Sequence, residues 1–452
     1  MKTLPIIAIV GRANVGKSSL FNSILERREA IVAREPGTTR DNITARVDYK
    51  GRSFWLVDTA GLKSAEDDFE LTIQEQILEA IDSADVIWVT VEANIPITDE
   101  DRRIASIALK SRKPVFLVVN KIDKATKEDI NFERLGIKPI FLTTTTQNQG
   151  IEALLEGLIK TIPKVSMKRS DDKLNLALLG RPNVGKSLLF NTLAKKQQAI
   201  VSSRAGTTRD INRVSVEYKG RSIEIMDTAG IRRPGRIERG VEHFSVLRSL
   251  NAIEQSDICL LLMDVNELNV QLDQKIAGMV KEAGKGLILV VTKWDILEEK
   301  TPFTWDQIAK QVSSTYDFVP WAPLIVTSSV TGQNITDIFD IALDIDKRRH
   351  LNIRTTELNR WLQETINKHP PAGLKNRSPK LNYMVQETDN PTPAFKIFGS
   401  QTKFIHWSYR RFLERELRER YDFSGTALQL WFIEKHEAHR HGVSPTKERK
   451  ER

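Results

Sequence analysis

The chain has 452 residues, 40% hydrophobic and 28% charged, with a formal net charge of +9. That length exceeds one ordinary core and predicts two or three domains, and the composition excludes a fibrous or wholly disordered chain. A single cysteine, Cys259, excludes an internal disulfide and is expected as a buried, inert thiol in a reducing compartment; no apolar run reaches the roughly 18–20 residues of a membrane helix.

The chain opens with MKTLPIIAIVG, an apolar stretch too short for a signal-peptide core, read as a buried strand running into a glycine motif. The motif, Gly11-Arg12-Ala13-Asn14-Val15-Gly16-Lys17-Ser18, fits GxxxxGK[ST] between a predicted strand and a predicted helix. Its glycines let backbone N–H groups wrap phosphates at a helix N-terminus. Lys17 is expected to reach the β- and γ-phosphates and Ser18 to bind Mg²⁺. Thr39, in the polar GTTRD (37–41), is placed to join the Mg²⁺ shell and report the γ-phosphate. Asp58 ends the strand FWLVD and orients Mg²⁺ through water. It begins Asp58-Thr59-Ala60-Gly61, followed by Leu62, and the N–H of Gly61 is expected at the γ-phosphate. Such a segment can be ordered by γ-phosphate and released on hydrolysis.

Further along, the strand VIWVTV, the helix DEDRRIASIALKS and the strand VFLVVN lead to Asn120-Lys121-Ile122-Asp123. A carboxylate there can accept two hydrogens from the N1 and N2 edge of guanine. Adenine cannot offer that pair, so Asp123 selects GTP over ATP, with the lysine stem over the ring and the asparagine bracing the loop and the base. TTTTQNQG (143–150) stands where a last base-contacting loop belongs, with Thr144-Thr145 the weaker candidates. The amphipathic GIEALLEGLIKTI and Pro163 close the region.

The whole pattern then returns. GRPNVGKSLLFN (180–191), GTTRD (206–210) and DTAG (227–230) repeat at an offset of 169, and TKWD (292–295) repeats NKID at 172. The second set is Gly180, Arg181, Pro182, Asn183, Val184, Gly185, Lys186 and Ser187, then Thr208, then Asp227, Thr228, Ala229, Gly230 and Ile231, then Thr292, Lys293, Trp294 and Asp295, with Ser328-Ser329 as the weaker candidates. The catalytic subset is Lys17, Thr39 and Gly61, with Lys186, Thr208 and Gly230. Ser18, Thr39, Asp58, Ser187, Thr208 and Asp227 are the Mg²⁺ residues. Thr292 replaces asparagine. It keeps a bracing hydroxyl and loses an amide donor toward the base, so the second site is expected to work with lower GTP affinity than its asparagine form. Strand–helix alternation predicts an α/β fold with mostly parallel sheets and ligands at the strands' carboxyl ends.

Beyond residue 346 the repeat stops. Residues 347–452 carry 22 Lys and Arg against 12 Asp and Glu, so the first 346 residues are near neutral and the last part is basic, as for a domain that meets a polyanion. A helix over TELNRWLQETINKH, strands at LNYMVQE and AFKIFGS, a helix over SYRRFLERELRERY and a strand at ALQLWFIEK predict a small α+β domain. The expected boundaries are 1–163 and 174–346 for the two repeats, a charged linker at 164–173, the last domain at 347–435 and a basic, disordered tail at 436–452.

The doubled GRxNVGKSxLFN and GTTRD, DTAGIRR, and the terminal SYRRFLERELRERYDFSGTAL resemble the Der (EngA) family of GTPases over nearly the whole chain to about Lys435. The resemblance implies two tandem P-loop (Ras-like) GTPase domains followed by a KH-like domain. It also implies a cytoplasmic protein that binds GTP and GDP and assists assembly of the large ribosomal subunit on its rRNA, without a membrane partner and monomeric when free. Thr292, both last loops, and FGS at 398–400 depart from the family pattern, and no GxxG follows residue 350. Two other readings are a partner GTPase of tRNA modification and a nucleotide-gated RNA-binding scaffold with little turnover. Leu62 and Ile231 stand where Ras-type hydrolysis uses a water-placing glutamine. In related GTPases an asparagine at the position of Asn14 and Asn183 binds K⁺, so K⁺-stimulated hydrolysis is expected. Residues 62–79 have six acids and one lysine, whereas 231–251 have five arginines and two acids, so the two domains are expected to answer different partners, with Arg232, Arg233 and Arg236 toward RNA.

Overall fold

The computed structural model describes residues 4–26, 31–32, 44–59, 73–124, 131–162, 173–196, 212–227, 246–297, 300–371, 373, 377–388 and 390–434. In the first repeat the elements are β1 (Ile6–Val10), α1 (Lys17–Leu25), β2 (Ile31–Val32), β3 (Thr44–Tyr49), β4 (Arg52–Asp58), α2 (Ile73–Ser83), β5 (Val86–Glu92), α3 (Asp99–Lys110), β6 (Val115–Asn120), β7 (Ile140–Leu142) and α4 (Ile151–Thr161). The second repeat supplies β8 (Lys173–Leu179), α5 (Lys186–Lys196), β9 (Asn212–Tyr218), β10 (Arg221–Asp227), α6 (Val246–Gln255), β11 (Ile258–Asp264), α7 (Gln271–Glu282), β12 (Gly286–Thr292), α8 (Pro302–Thr315), β13 (Leu324–Val326) and α9 (Asp337–Arg349). The last region holds α10 (Thr355–Lys368), β14 (Lys380–Glu387), β15 (Ala394–Ser400), α11 (Trp407–Tyr421) and β16 (Gln429–Glu434).

β1, β5 and β6 are apolar, rich in β-branched residues, and buried along their whole length. Such runs suit parallel strands covered by helices on both faces. The first sheet has the order β2-β3-β4-β1-β5-β6-β7, and only β2–β3 and β3–β4 pair antiparallel. The second has the order β13-β12-β11-β8-β10-β9, antiparallel only at β9–β10. The hairpins β3–β4 and β9–β10 each turn on a Lys-Gly pair with positive φ, Lys50-Gly51 and Lys219-Gly220, the backbone a tight two-residue turn requires. In each sheet the first strand of the repeat, β1 or β8, is central, and chain order reverses there, which is where open α/β sheets bind ligands. Cys259 lies buried in β11, and burial pushes its thiol up to about 11, as an inert thiol requires.

The last region forms a three-stranded sheet, β14-β15-β16, antiparallel between β14 and β15 and parallel between β15 and β16. Leu358, Leu362, Met384, Phe395, Leu413, Leu417 and Phe423 close its core between α10, α11 and the sheet. The chain divides into two compact units, Lys2–Ser166 with His243–Glu254, and Met167–Glu242 with Gln255–Arg452. The second unit therefore holds the C-terminal domain together with most of the second repeat. Within it, the N–H of Leu287 donates to the carbonyl of Gly425 at 3.0 Å, Gly425 N–H to Trp321 at 2.7 Å, and the Thr392 hydroxyl to Gly284 at 2.6 Å. Among the described residues no helix is long and apolar enough to cross a membrane. The expected linker, apart from Lys173, and the tail at 436–452 lie outside the described residues.

Candidate nucleotide sites

The phosphate loop leaves β1 at Gly11 and enters α1 at Lys17. A Cβ at Gly11 would lie 2.3 Å from the carbonyl oxygen of Thr90, and at Gly180 2.5 Å from that of Leu262, so each loop starts against a neighbouring strand where only glycine fits. Gly16 is the N-cap of α1 with φ 93 and no side-chain cap, so the first amides of the helix stay available to an anion. α3, away from the loop, is closed instead by a capping box between Thr98 and Asp101. Asn14 (φ 65) and Asn183 (φ 63) sit at the exposed crest of their loops in the left-handed region.

Lys17 is buried, and desolvation lowers its pKa. Its ammonium donates to the carbonyls of Gly11 and Arg12, both at 2.8 Å. Lys186 repeats this with Gly180 at 2.9 Å and with Arg181. Asp58 and Asp227 are buried at the ends of β4 and β10. The Ser187 hydroxyl lies 3.5 Å from Asp227 Oδ2, a pair of hard oxygen donors that fits Mg²⁺. Thr59 donates to the Ile9 carbonyl at 2.7 Å, tying the strand that carries Asp58 to β1. Thr39, Ala60, Gly61, Leu62, Thr208, Thr228, Ala229, Gly230, Ile231, Arg232, Arg233 and Arg236 lie outside the described residues.

The base loops reach the phosphate loops directly. Asn120, fully buried, donates from Nδ2 to the Val15 carbonyl at 3.1 Å and accepts from Thr143 at 3.2 Å. Thr292 donates to the Val184 carbonyl at 2.7 Å and lies 3.0 Å from that of Met263. The two residues therefore brace the same point of their phosphate loops, and the shorter threonine does so at closer range. Lys121 and Lys293 both have left-handed φ, 62 and 59. Lys121 bonds Glu92 at 3.0 Å and the Asn14 carbonyl at 2.8 Å, and Lys293 bonds Asp264 at 2.6 Å. Ile122 and Trp294 hold the loops to the last loop through N–H bonds to Thr143 and Thr327.

Asp123 is met by two hydroxyls, Thr144 at 2.7 Å and Thr146 at 3.0 Å. The Thr144 bond, against a desolvation cost, holds its carboxyl below the ordinary range. Ser328 meets Asp295 at 2.5 Å. Thr144 and Ser328, the weaker sequence candidates, thus stand on the carboxylates of Asp123 and Asp295. Thr146 was not anticipated; a hydroxyl two residues after Thr144 carries no motif that would have flagged it.

Two doubly wound α/β domains, each bringing a GxxxxGKS loop against a KxD loop, define tandem P-loop GTPase domains. A family model described as 50S ribosome-binding GTPase matches residues 6–121 and 175–293, and one described as the KH-domain-like C-terminal region of EngA bacterial GTPase enzymes matches 352–432. The chain is 38% identical to GTPase Der of Gemmatimonas aurantiaca over 95% of its length and 98% of the relative's. It is 39% identical to GTPase Der of Herpetosiphon aurantiacus (95% and 96%) and 40% identical to that of Chloroflexus aggregans (95% and 97%). Among solved structures, the G domain of the T. maritima FeoB iron transporter aligns with 35% of this chain and 98% of its own, at 26% identity and a TM-score of 0.27. The chain belongs to the Der family of GTPases and is a GTP-binding GTPase with two GTPase domains and a KH-like domain.

Proposed function

We infer that the protein couples GTP hydrolysis to assembly of the large ribosomal subunit, as a cytoplasmic factor that is monomeric when free. The observation that carries the RNA half of this reading is a pair of acid-free basic segments joined in the KH-like domain. Residues 365–386 and 390–413 contain eight Lys and Arg and no Asp or Glu. β14 and β15 pair these two segments, a Gly373–Ile405 bridge ties them again, and Tyr409 Oη donates to the His369 carbonyl at 2.8 Å. Trp407 is 42% exposed with the Arg411 guanidinium 4.9 Å above its ring, and Lys403 and Arg377 flank Phe404. Cations interleaved with accessible rings suit unstacked RNA bases and need no GxxG clamp. The family description of a 50S ribosome-binding GTPase supports the same partner.

In the chemistry, Lys17 and Lys186 exchange their loop carbonyls for the β- and γ-phosphates, and the loop amides hold the remaining charge. Mg²⁺, when bound through Ser18 and Asp58 or Ser187 and Asp227, neutralises charge that develops on the phosphates. Thr39 with Gly61, and Thr208 with Gly230, read the γ-phosphate. Leu62 and Ile231 place no water, so Asn14 and Asn183 supply the missing stabilisation by holding K⁺. Turnover in KCl should exceed turnover in NaCl at matched ionic strength; equal rates remove the K⁺ role.

Co-sedimentation of the full chain with isolated large subunits tests the function. Binding is expected to strengthen with a non-hydrolysable GTP analogue, and Trp407→Ala with Arg411→Ala should weaken it and flatten its salt dependence. No binding in any nucleotide state overturns the reading.

A further inference from the structure

Each phosphate loop is faced by a buried carboxylate that belongs to none of the GTPase motifs. Asp101 on α3 and Asp273 on α7 stand 172 residues apart, the same offset as the base loops, although the two helices otherwise differ. Asp101 is 3% exposed and Asp273 fully buried. Each faces the arginine that follows the first glycine of its loop. Arg181 Nε donates to Asp273 Oδ2 at 3.0 Å, and its Nη1 reaches Glu267 at 2.7 Å. Arg12 repeats the pairing more loosely, with Asp101 at 3.6 Å and Glu92 at 3.9 Å. The carbonyls of these same arginines hold the loop lysines, Arg12 with Lys17 and Arg181 with Lys186.

We propose that Asp273, and Asp101 in the first domain, are positioning residues for GTP, which act through Arg181 and Arg12 to hold the phosphate loop in its anion-binding form. A buried ion pair is a poor device for stability alone, because apolar residues of similar volume usually serve as well. Its recurrence at the same place in both domains fits a task of orientation. The inference rests on the reading of Gly180–Ser187 as a GTP site.

The second domain gives the cleaner test. Asp101 also accepts from Thr98 in the cap of α3, whereas the residue before α7 is Val270, so Asp273 has no capping duty there. Burial pushes the Asp273 carboxyl up to about 6 against the pull of Arg181 and Lys186, with Tyr316 and Glu267 the other ionisable groups around the pair. Protonation through that value neutralises the anchor. Because the folded value lies above the ordinary one, protonation of Asp273 itself favours the folded state, so a loss of GTP affinity there is not acid unfolding through this group.

The experiment uses the full chain with Asp123→Asn, so that GTP hydrolysis reports the second site. Asp273→Asn is expected to raise the KM for GTP about tenfold with kcat within about twofold, the signature of lost uniform binding. A purely structural role would instead lower the active fraction at unchanged KM. The wild-type second site should show KM rising as pH falls from 7 to 5.5, and Asp273→Asn should remove that rise. If the single variant does not fold, the neutral pair Arg181→Gln with Asp273→Asn leaves neither partner charged and should show the same KM. An unchanged KM in a folded variant overturns the proposal. Lys186→Ala is the control: if it too leaves GTP binding intact, the site reading fails instead.

Discussion

At the scale of single residues, the carboxylates proposed to select guanine are each held by hydroxyls from one loop away. Thr144 and Thr146 occupy one lone pair on each oxygen of Asp123, and a carboxylate has about four, so two remain for the base. Thr144→Ala should therefore weaken GTP at the first site several-fold, and Ser328→Ala should do the same at the second, as read by titration with a fluorescent GTP analogue. Preserved affinity would mean that these hydroxyls only fill a polar loop. Thr292 is a second case. The sequence expectation of a weaker site rested on a kept bracing hydroxyl and a lost donor toward the base, and the brace is present at 2.7 Å. Only the donor remains to be gained, so Thr292→Asn should tighten GTP by no more than roughly 0.5–1.5 kcal/mol. A larger gain would show that threonine braces the loop poorly.

At the scale of the element, the same exchange alters what the phosphate loop tolerates. Gly16 and Gly185 share φ 93, so any side chain is strained at either position. A Cβ at Gly16 would also lie 2.3 Å from Asn120 Nδ2, whereas at Gly185 nothing stands within 4 Å, because Thr292 is shorter. Gly16→Ala should consequently impair nucleotide binding at the first site more than Gly185→Ala does at the second. Equal loss would mean that backbone strain, not the asparagine contact, sets the tolerance. The uncapped start of α1 leaves its first amides without a competing side chain, whereas Thr98 and Asp101 close the start of α3.

At the scale of the molecule, the KH-like domain and most of the second GTPase domain form one compact unit, and Gly425 lies where they meet. Its φ is +72, and a Cβ there would come 2.3 Å from Ile345 on α9. Gly425→Val combines a left-handed strain with overpacking, each costing about 1–3 kcal/mol, and should lower the melting temperature by several degrees. An unchanged transition would show that the contact gives way without cost. Much of this architecture was legible in the amino-acid order alone. The doubled GRxNVGKSxLFN, DTAG and KxD motifs determine what each domain binds, because phosphate wrapping and guanine selection need particular residues at fixed short spacings. Periodicity likewise marked the central strands and the helices of the last domain, since burial on one or both faces writes itself into local sequence. Only the tertiary structure decided which polar residues from distant segments converge: Thr144 on Asp123, Ser328 on Asp295, Thr292 on the Val184 carbonyl, and Asp273 on Arg181. Those partners lie 21 to 108 residues apart along the chain, and single aspartates, serines and threonines look alike in sequence until packing brings one of them, buried and aligned, to a particular acceptor or donor.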